Sequence, residues 1–224
     1  MKIVISVGGS VLVSNLEPAR IKRYADVIRK IAMDNELCVV TGGGVAARDY
    51  IKTARALGAN EMVCDLIGID VTRINATLLI AALGEDAYPQ VPKTYEEAQR
   101  AFEFGKIVVM GGVVPGQTTD AVSVMLAELL GAELVINATS VDGVYTADPK
   151  SDPDAKKFDT MTPAQLVDIV IRTEMKAGSN SPIDPLAAKI IERCNMPMIV
   201  IDGRDPENII NAVSGKHNGT QIIA

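Results

Sequence analysis

Histidine, cysteine and tryptophan are scarce in this chain, and each shortage removes a class of function. Its 224 residues include one histidine, three cysteines and no tryptophan. A single histidine leaves no His/Cys metal cluster, no HExxH motif and little room for a Ser-His-Asp triad. That residue, His217, lies in a polar Lys-His-Asn-Gly stretch that reads as a surface turn. Cys38, Cys64 and Cys194 are too few and too scattered for a disulfide framework or a zinc site, so each is expected to be a small buried hydrophobe. No metal site built from protein ligands is expected. With 28 acidic against 22 basic residues the net charge is −6, which, without tryptophan, disfavours a nucleic-acid surface. No run reads as long enough or uncharged enough to span a bilayer. The opening Met1-Lys2-Ile3-Val4-Ile5-Ser6-Val7 reads as a strand and not as a signal peptide. The expectation is a cytoplasmic protein, free of membrane and nucleic acid, acting on small molecules.

What is present is a regular alternation. Short β-branched runs at Ile3–Val7, Leu37–Val40, Ile107–Met110, Leu134–Ile136 and Met198–Ile201 suit strands buried on both faces of a parallel sheet. Helical patterns lie between them at Pro18–Asp34, Val45–Leu57, Met62–Leu83, Tyr95–Phe104, Asp120–Leu130, Pro163–Arg172, Pro185–Arg193 and Pro206–Val213. Pro163, Pro185 and Pro206 each follow Thr or Asp, the signature of a capped helix with proline at its first position. The order predicts an α/β fold, a three-layer sandwich with a mainly parallel central sheet between helix layers. Thr220–Ile223 is expected to add an antiparallel strand, and polar Asp148–Asp159 a surface loop.

Three glycine clusters follow three of these strands: Gly8-Gly9-Ser10, Gly42-Gly43-Gly44, and Gly111-Gly112 running on through Pro115-Gly116-Gln117-Thr118-Thr119-Asp120. Ligands of open α/β sheets sit at the carboxyl ends of strands, where glycine admits backbone N–H groups and helix starts add partial positive charge. Phosphate is the natural guest, and three clusters could converge on one crevice. Glycine after a strand can also be a simple tight turn. No GxxxxGK[ST] occurs, Gly42–Gly44 does not complete GxGxxG, and the protein-kinase motifs are absent. A P-loop protein, a dinucleotide dehydrogenase and a protein kinase are thereby disfavoured.

Val7-Gly8-Gly9-Ser10, Thr41-Gly42-Gly43-Gly44 with Arg48, Met110-Gly111-Gly112 through Asp120, Asn137 through Pro149 (NATSVDGVYTADP) and Ile183-Asp184-Pro185-Leu186-Ala187-Ala188 resemble the amino acid kinase family. Within it they are most similar to UMP kinases of the archaeal type, and the resemblance runs the whole chain in order. It implies one domain over residues 1–224, with an acceptor (UMP) lobe at about 1–130 and a donor (ATP) lobe at about 131–224. It implies transfer of the ATP γ-phosphoryl to UMP, with Mg²⁺ carried by ATP as cofactor, and a homohexamer with the first long helix near an interface. By the same resemblance Gly9, Ser10, Arg48, Asp120 and Asp184 would be catalytic. UMP would meet Gly43, Asp65 and the run Val113, Val114, Pro115, Gly116, Gln117, Thr118 and Thr119. ATP would meet Gly9, Ser10, Gly44, Arg48, Thr139, Tyr145 and Asp148. Val113 departs from relatives that carry threonine there.

Read as residues alone, several of these have plainer roles. Arg48 could be a solvated helix charge, Asp65 a carboxylate near a helix start, Asp148 a turn former and Tyr145 a core aromatic. Arg73 could neutralise a phosphate or pair with Asp70 at i,i+3. Ser6 replaces a lysine that many bacterial relatives carry, so the missing charge must come from Mg²⁺, Arg48 or another lysine. That loss feeds one alternative, a non-catalytic nucleotide- or oxyanion-binding protein on the same fold. Within enzymes the rival is another small-molecule kinase such as isopentenyl phosphate kinase, which wants a basic, often histidine-bearing acceptor pocket.

Overall fold

Strands that are apolar on both faces need helices above and below them, and the chain supplies both layers. The computed structural model describes residues 1–147, 149, 152–174 and 182–223, with backbone alone at 173 and 174. Among these, seven strands form one sheet in the order β3-β2-β1-β4-β6-β7-β5. They are β1 (Lys2–Val7), β2 (Glu36–Thr41), β3 (Val108–Met110), β4 (Leu134–Thr139), β5 (Thr160–Met161), β6 (Met198–Asp202) and β7 (Thr220–Ile222). The first four and β6 are mutually parallel; β7 pairs antiparallel with β6, and β5 runs parallel to β7. The helices are α1 (Gly9–Leu12), α2 (Pro18–Ala32), α3 (Gly44–Ala56), α4 (Glu61–Leu83), α5 (Tyr95–Phe102), α6 (Thr119–Leu130), α7 (Pro163–Glu174), α8 (Pro185–Cys194) and α9 (Glu207–Val213).

Alternate strand residues feed two cores. Val4, Cys38, Val40, Val108, Val135 and Val200 face α5, α6, α7 and α8. Ile3, Ile5, Val39, Val109, Ile136 and Ile201 face α2, α9 and the buried stripe of α4. This is the expected three-layer arrangement, and the sheet runs unbroken across the lobe boundary expected near residue 130. Sequence-local signals set the helix ends. Asn60, Thr94, Thr118 and Asp184 each accept backbone N–H bonds as N-caps, and Gly131 and Asn195 close α6 and α8 in the left-handed conformation.

Four details differ from expectation. The turn α1 follows β1 directly, and β5 is a two-residue strand too short to show a period. Strand β4 continues past Ile136 through buried, polar Asn137. Residues Glu61–Asp86 are long and apolar enough to cross a membrane by length and composition alone, contrary to the reading that no run qualifies. Here α4 packs on α3, α2 and β3 and carries Asp65, Asp70 and Arg73; part of its apolar content serves the core, and part, at Val63, Leu66, Ile74 and Leu78, lies exposed.

The glycine loops after β1 and β2 meet backbone to backbone. A Cβ on Gly9 would lie 2.3 Å from the Gly44 nitrogen and 2.5 Å from the Gly42 oxygen. Gly44 adopts φ +68°, which a side chain disfavours, and a Cβ there would strike the Gly9 carbonyl carbon at 2.7 Å. Asn75 of α4, almost fully buried, donates from Nδ2 to Gly42 O at 2.8 Å and so pins the second loop to the helix beneath it. Gly9→Ala is therefore expected to destabilise the fold by about 1–3 kcal/mol, because only backbone could yield. Gly58, with open space around its Cα, is the control: Gly58→Ala incurs the cost of its φ of +89° alone. Urea unfolding of both variants checks the difference.

Candidate active site

A cavity of about 280 Å³ opens where the loops after β2 and β3 meet α3 and α4. Gly44, Ala47, Arg48 and Ile51 line it from α3, and Asp65, Gly68, Ile69 and Thr72 from α4. Both sets follow the i, i+3, i+4, i+7 spacing of one helical face. Val114, Gln117, Thr118 and Thr119 supply a third wall. The approach of α4 to the third glycine loop is as close as that between the first two. A Cβ on Gly111 would lie 2.5 Å from Thr72 Oγ1, and Gly112 N donates to that oxygen at 2.7 Å. Arg48 is exposed and has no ion-pair partner among the described residues, so a cation is available at the mouth of the cavity.

The loop from Gly111 to Thr119 is held along its length. Val114-Pro115-Gly116-Gln117 forms a turn closed by Gln117 N to Val114 O at 3.4 Å, with Gly116 at φ +80° after Pro115, the type II arrangement. Asp65 Oδ2 accepts from Gly116 N at 2.9 Å. Arg73, whose role the spacing leaves open between phosphate and Asp70, donates to the carbonyls of Gly112 (3.2 Å) and Val113 (3.4 Å), with Asp70 at 3.9 Å. It is a clamp on this loop. Val113 therefore takes part through its backbone, and the threonine hydroxyl of relatives is not needed for that bond.

Beyond the loop two carboxylates converge. Asp184 caps α8 through Leu186 N and Ala187 N and accepts from the Thr118 hydroxyl. Asp120, in the first turn of α6, accepts from Ser6 Oγ at 3.0 Å, and Asn137 also bonds its carboxylate. Ser6 and Asn137 are register partners on β1 and β4, so a polar row crosses the carboxyl end of an otherwise apolar sheet. Burial, with the like charge of Asp184 second, pushes the Asp120 carboxyl up to about 7 against the hydrogen bonds from Ser6 and Asn137. Among the described residues no lysine contacts this pair; Ser6, the position expected to hold lysine in many bacterial relatives, is engaged by Asp120 instead.

The loop after β1 separates this side from the next. Gly8 N donates to Ala138 O at 2.9 Å, and a Cβ on Gly8 would lie 3.8 Å from the Thr139 Cα. Gly9 and Ser10 thus stand between the cavity and the end of β4. Farther along, Tyr145 Oη donates to Asp142 Oδ1 at 2.8 Å, and Lys157 Nζ meets Asp142 Oδ2 at 3.0 Å. Asp148 lies outside the described residues.

The structure therefore gathers Gly43, Gly44, Arg48, Asp65, Val114, Gln117, Thr118 and Thr119 around one cavity, with Asp120 and Asp184 behind it and Thr139 across the first loop. The side-chain amide of Gln117 is engaged by Tyr95 and Met125, neither of which lines the cavity. Sequence reasoning missed Ala47, Ile51, Gly68, Ile69 and Thr72, which the helical spacing from Gly44 and from Asp65 would have found. It also missed Asn137, whose polarity inside a buried strand was the signal. His217 departs from its expected surface turn: it is half-buried beside a polar cavity of about 230 Å³ with Asp142 and Asp202, and its Nδ1 has no partner. A larger groove of about 980 Å³ sits at the amino-terminal ends of β2 and β3. Its basic groups are already engaged, Arg29 by Asp26 and Asp86 and Arg23 by Asp205, so it offers a phosphate little.

Comparison with known proteins gives a consistent picture. The amino acid kinase family profile matches residues 1–202. The uridylate kinase of Methanococcoides burtonii is 58% identical, with 100% of both chains covered. That of Methanosarcina mazei is 56% identical over 96% of this chain and 93% of its own. The crystal structure of uridylate kinase from Archaeoglobus fulgidus superposes with a TM-score of 0.91 at 52% identity, covering 99% of this chain and 100% of that one.

The raised Asp120 carboxyl has a thermodynamic consequence. Between about pH 4 and 7 the folded chain holds a proton there that the unfolded chain has released, so stability falls as pH rises through this window. Asp120→Asn, which keeps an acceptor for Ser6, is expected to be more stable than the parent at pH 8. The gap should narrow towards pH 4 and close below about pH 3, where Asp120 is protonated in both states. Urea unfolding across that range reads it directly.

Proposed function

The chain belongs to the amino acid kinase family, and from that premise we propose that it is a UMP kinase, converting ATP and UMP to ADP and UDP. The observation that carries this reading is the position of Gly8–Ser10, with the cavity on one side and Thr139 on the other. Phosphoryl transfer asks for alignment and charge neutralisation more than for covalent help. A UMP phosphate oxygen would attack the γ-phosphorus from the cavity side. As that bond forms, the bond from the γ-phosphorus to the β,γ-bridging oxygen breaks, and ADP leaves on the Thr139 side. Arg48 is free to neutralise charge at the junction, and the N–H groups of Gly9 and Ser10 at the start of α1 can donate to the moving group.

In this reading residues before about 130 form the acceptor lobe and those after it the donor lobe. Asp65 would take the ribose hydroxyls on the carboxylate that already holds Gly116. Tyr145, fixed by Asp142, would line the adenine side with Thr139, and Asp148 belongs to that set by resemblance. Among the described residues no group of three or more metal-ligating side chains occurs. Asp120 and Asp184 nonetheless suit Mg²⁺ arriving with ATP, since that ion takes one or two carboxylates beside phosphates, and it would supply charge neutralisation. The pairing of Ser6 with Asp120 gives this position a role without lysine. The half-buried His217 lies outside the cavity, which leaves an isopentenyl phosphate site without its histidine. We place this UDP in the supply of pyrimidine nucleotide biosynthesis, in the cytoplasm.

We extend the proposal to assembly as a homohexamer. The outer face of α2, the helix expected at an interface, is charged. Exposed apolar residues line α4 instead, at Val63, Leu66, Ile74 and Leu78, and Tyr50 adds to them from α3. Such a stripe on a surface helix favours contact with another chain. Light scattering should give a mass several times 23.8 kDa; a monomer mass would remove the hexamer.

The activity is tested by ADP release with ATP, Mg²⁺ and, separately, UMP, CMP, AMP or isopentenyl phosphate. Strong release with UMP alone is expected. Asp65→Asn should raise the KM for UMP about tenfold or more while leaving that for ATP nearly unchanged, since a charge-assisted contact is at stake. Equal effects on both would remove Asp65 from the acceptor side.

A further inference from the structure

The loop from Gly111 to Thr119 lines the cavity, and two side-chain anchors tie it back to the start of α5. Gln117 commits its amide to groups outside the cavity lining: Tyr95 Oη donates to Gln117 Oε1 at 2.9 Å, and both groups reach Met125 Sδ of α6, at 3.3 and 3.4 Å. Arg73 ties the other end, joining Gly112 O and Val113 O to Lys93 O, two residues before Tyr95. The support is itself rigid. Thr94 caps α5 through Glu97 N, and Glu97 Oε2 accepts from Lys93 N at 2.7 Å, one residue before the cap. Tyr95 is half-buried against the core beneath α5 and α6, and burial pushes its phenol up to about 12, so the hydroxyl keeps its proton at neutral pH.

We infer that Tyr95 is a positioning residue for the acceptor, acting through Gln117 to hold the Val114–Gln117 turn in the shape that admits the nucleoside monophosphate. The inference rests on the UMP kinase reading for its kinetic consequence but not for its structural one. A loop ordered before binding spares the acceptor the cost of ordering it. Loss of the hydroxyl should therefore weaken acceptor binding and leave ATP binding unaffected.

Tyr95→Phe removes one oxygen and keeps the packing. Its KM for UMP is expected to rise about two- to tenfold, the range for one neutral hydrogen bond, with kcat and the KM for ATP changed less than about twofold. In a double-mutant cycle, Gln117→Leu added to Tyr95→Phe should raise the KM no further than Gln117→Leu alone. Amide exchange of the free protein should quicken at residues 112–118 in Tyr95→Phe and stay unchanged in α2. Unchanged exchange in the loop would overturn the inference, as would equal KM changes for both substrates or additive effects in the cycle. A parent protein without UMP-dependent ADP release would overturn the UMP kinase reading instead, and the exchange comparison would still decide whether Tyr95 holds the loop.

Discussion

Two backbones in contact, Gly9 against Gly42–Gly44, set the geometry on which the rest of this site depends. No side chain fits between them, since a Cβ at either Gly9 or Gly44 would fall within 2.7 Å of main-chain atoms. The parallel pairing of β1 with β2 brings the two loops to the same level, and Asn75 fixes the second from below. The same close approach recurs at Gly111 and Gly112 against Thr72 of α4. Three strand ends are thereby drawn into one junction of closely packed glycine backbone and helix starts, and helix starts favour phosphate. Glycine serves here first to let chain meet chain, and access for a ligand follows from it.

Charge at the junction is arranged with few cations. Asp120 and Asp184 lie together, and the chain answers with neutral donors: Ser6 and Asn137 on Asp120, Thr118 and two backbone amides on Asp184. Those donors do not offset burial at Asp120, whose carboxyl stays protonated further into the neutral range than usual. A site of this kind is primed to gain from an arriving cation, and Arg48 stands uncommitted on the opposite side of the cavity.

Much of this was legible in the sequence because the signals were local. β-branched runs marked the parallel strands, and prolines after Thr or Asp marked helix starts to within a residue or two; Pro206 caps α9 and the helix proper begins at Glu207. The three glycine clusters located the crevice, and a resemblance in their neighbourhood supplied the chemistry expected there. Less visible were features set by distant partners. Arg73 could face a phosphate or Asp70 on spacing alone, and only the fold shows that it clamps the loop after β3. Gln117 counted as a cavity residue from its place in the loop, yet its amide belongs to Tyr95, 22 positions away. Ser6 looked like a vacancy because a strand residue has no local cue to a carboxylate on α6. Strand β5 escaped notice because two residues carry no period, and the apolar length of α4 divides between a buried face and an exposed one.

The central claim is that the Gly8–Ser10 loop is the meeting point of acceptor and donor. A crystal structure with UMP and a non-hydrolysable ATP analogue tests it most directly. The UMP phosphate is expected against Gly43–Gly44 with its ribose at Asp65, and the terminal phosphate of the analogue over Gly9 and Ser10. Either nucleotide bound elsewhere, for example in the groove beside Arg23 and Arg29, would contradict it.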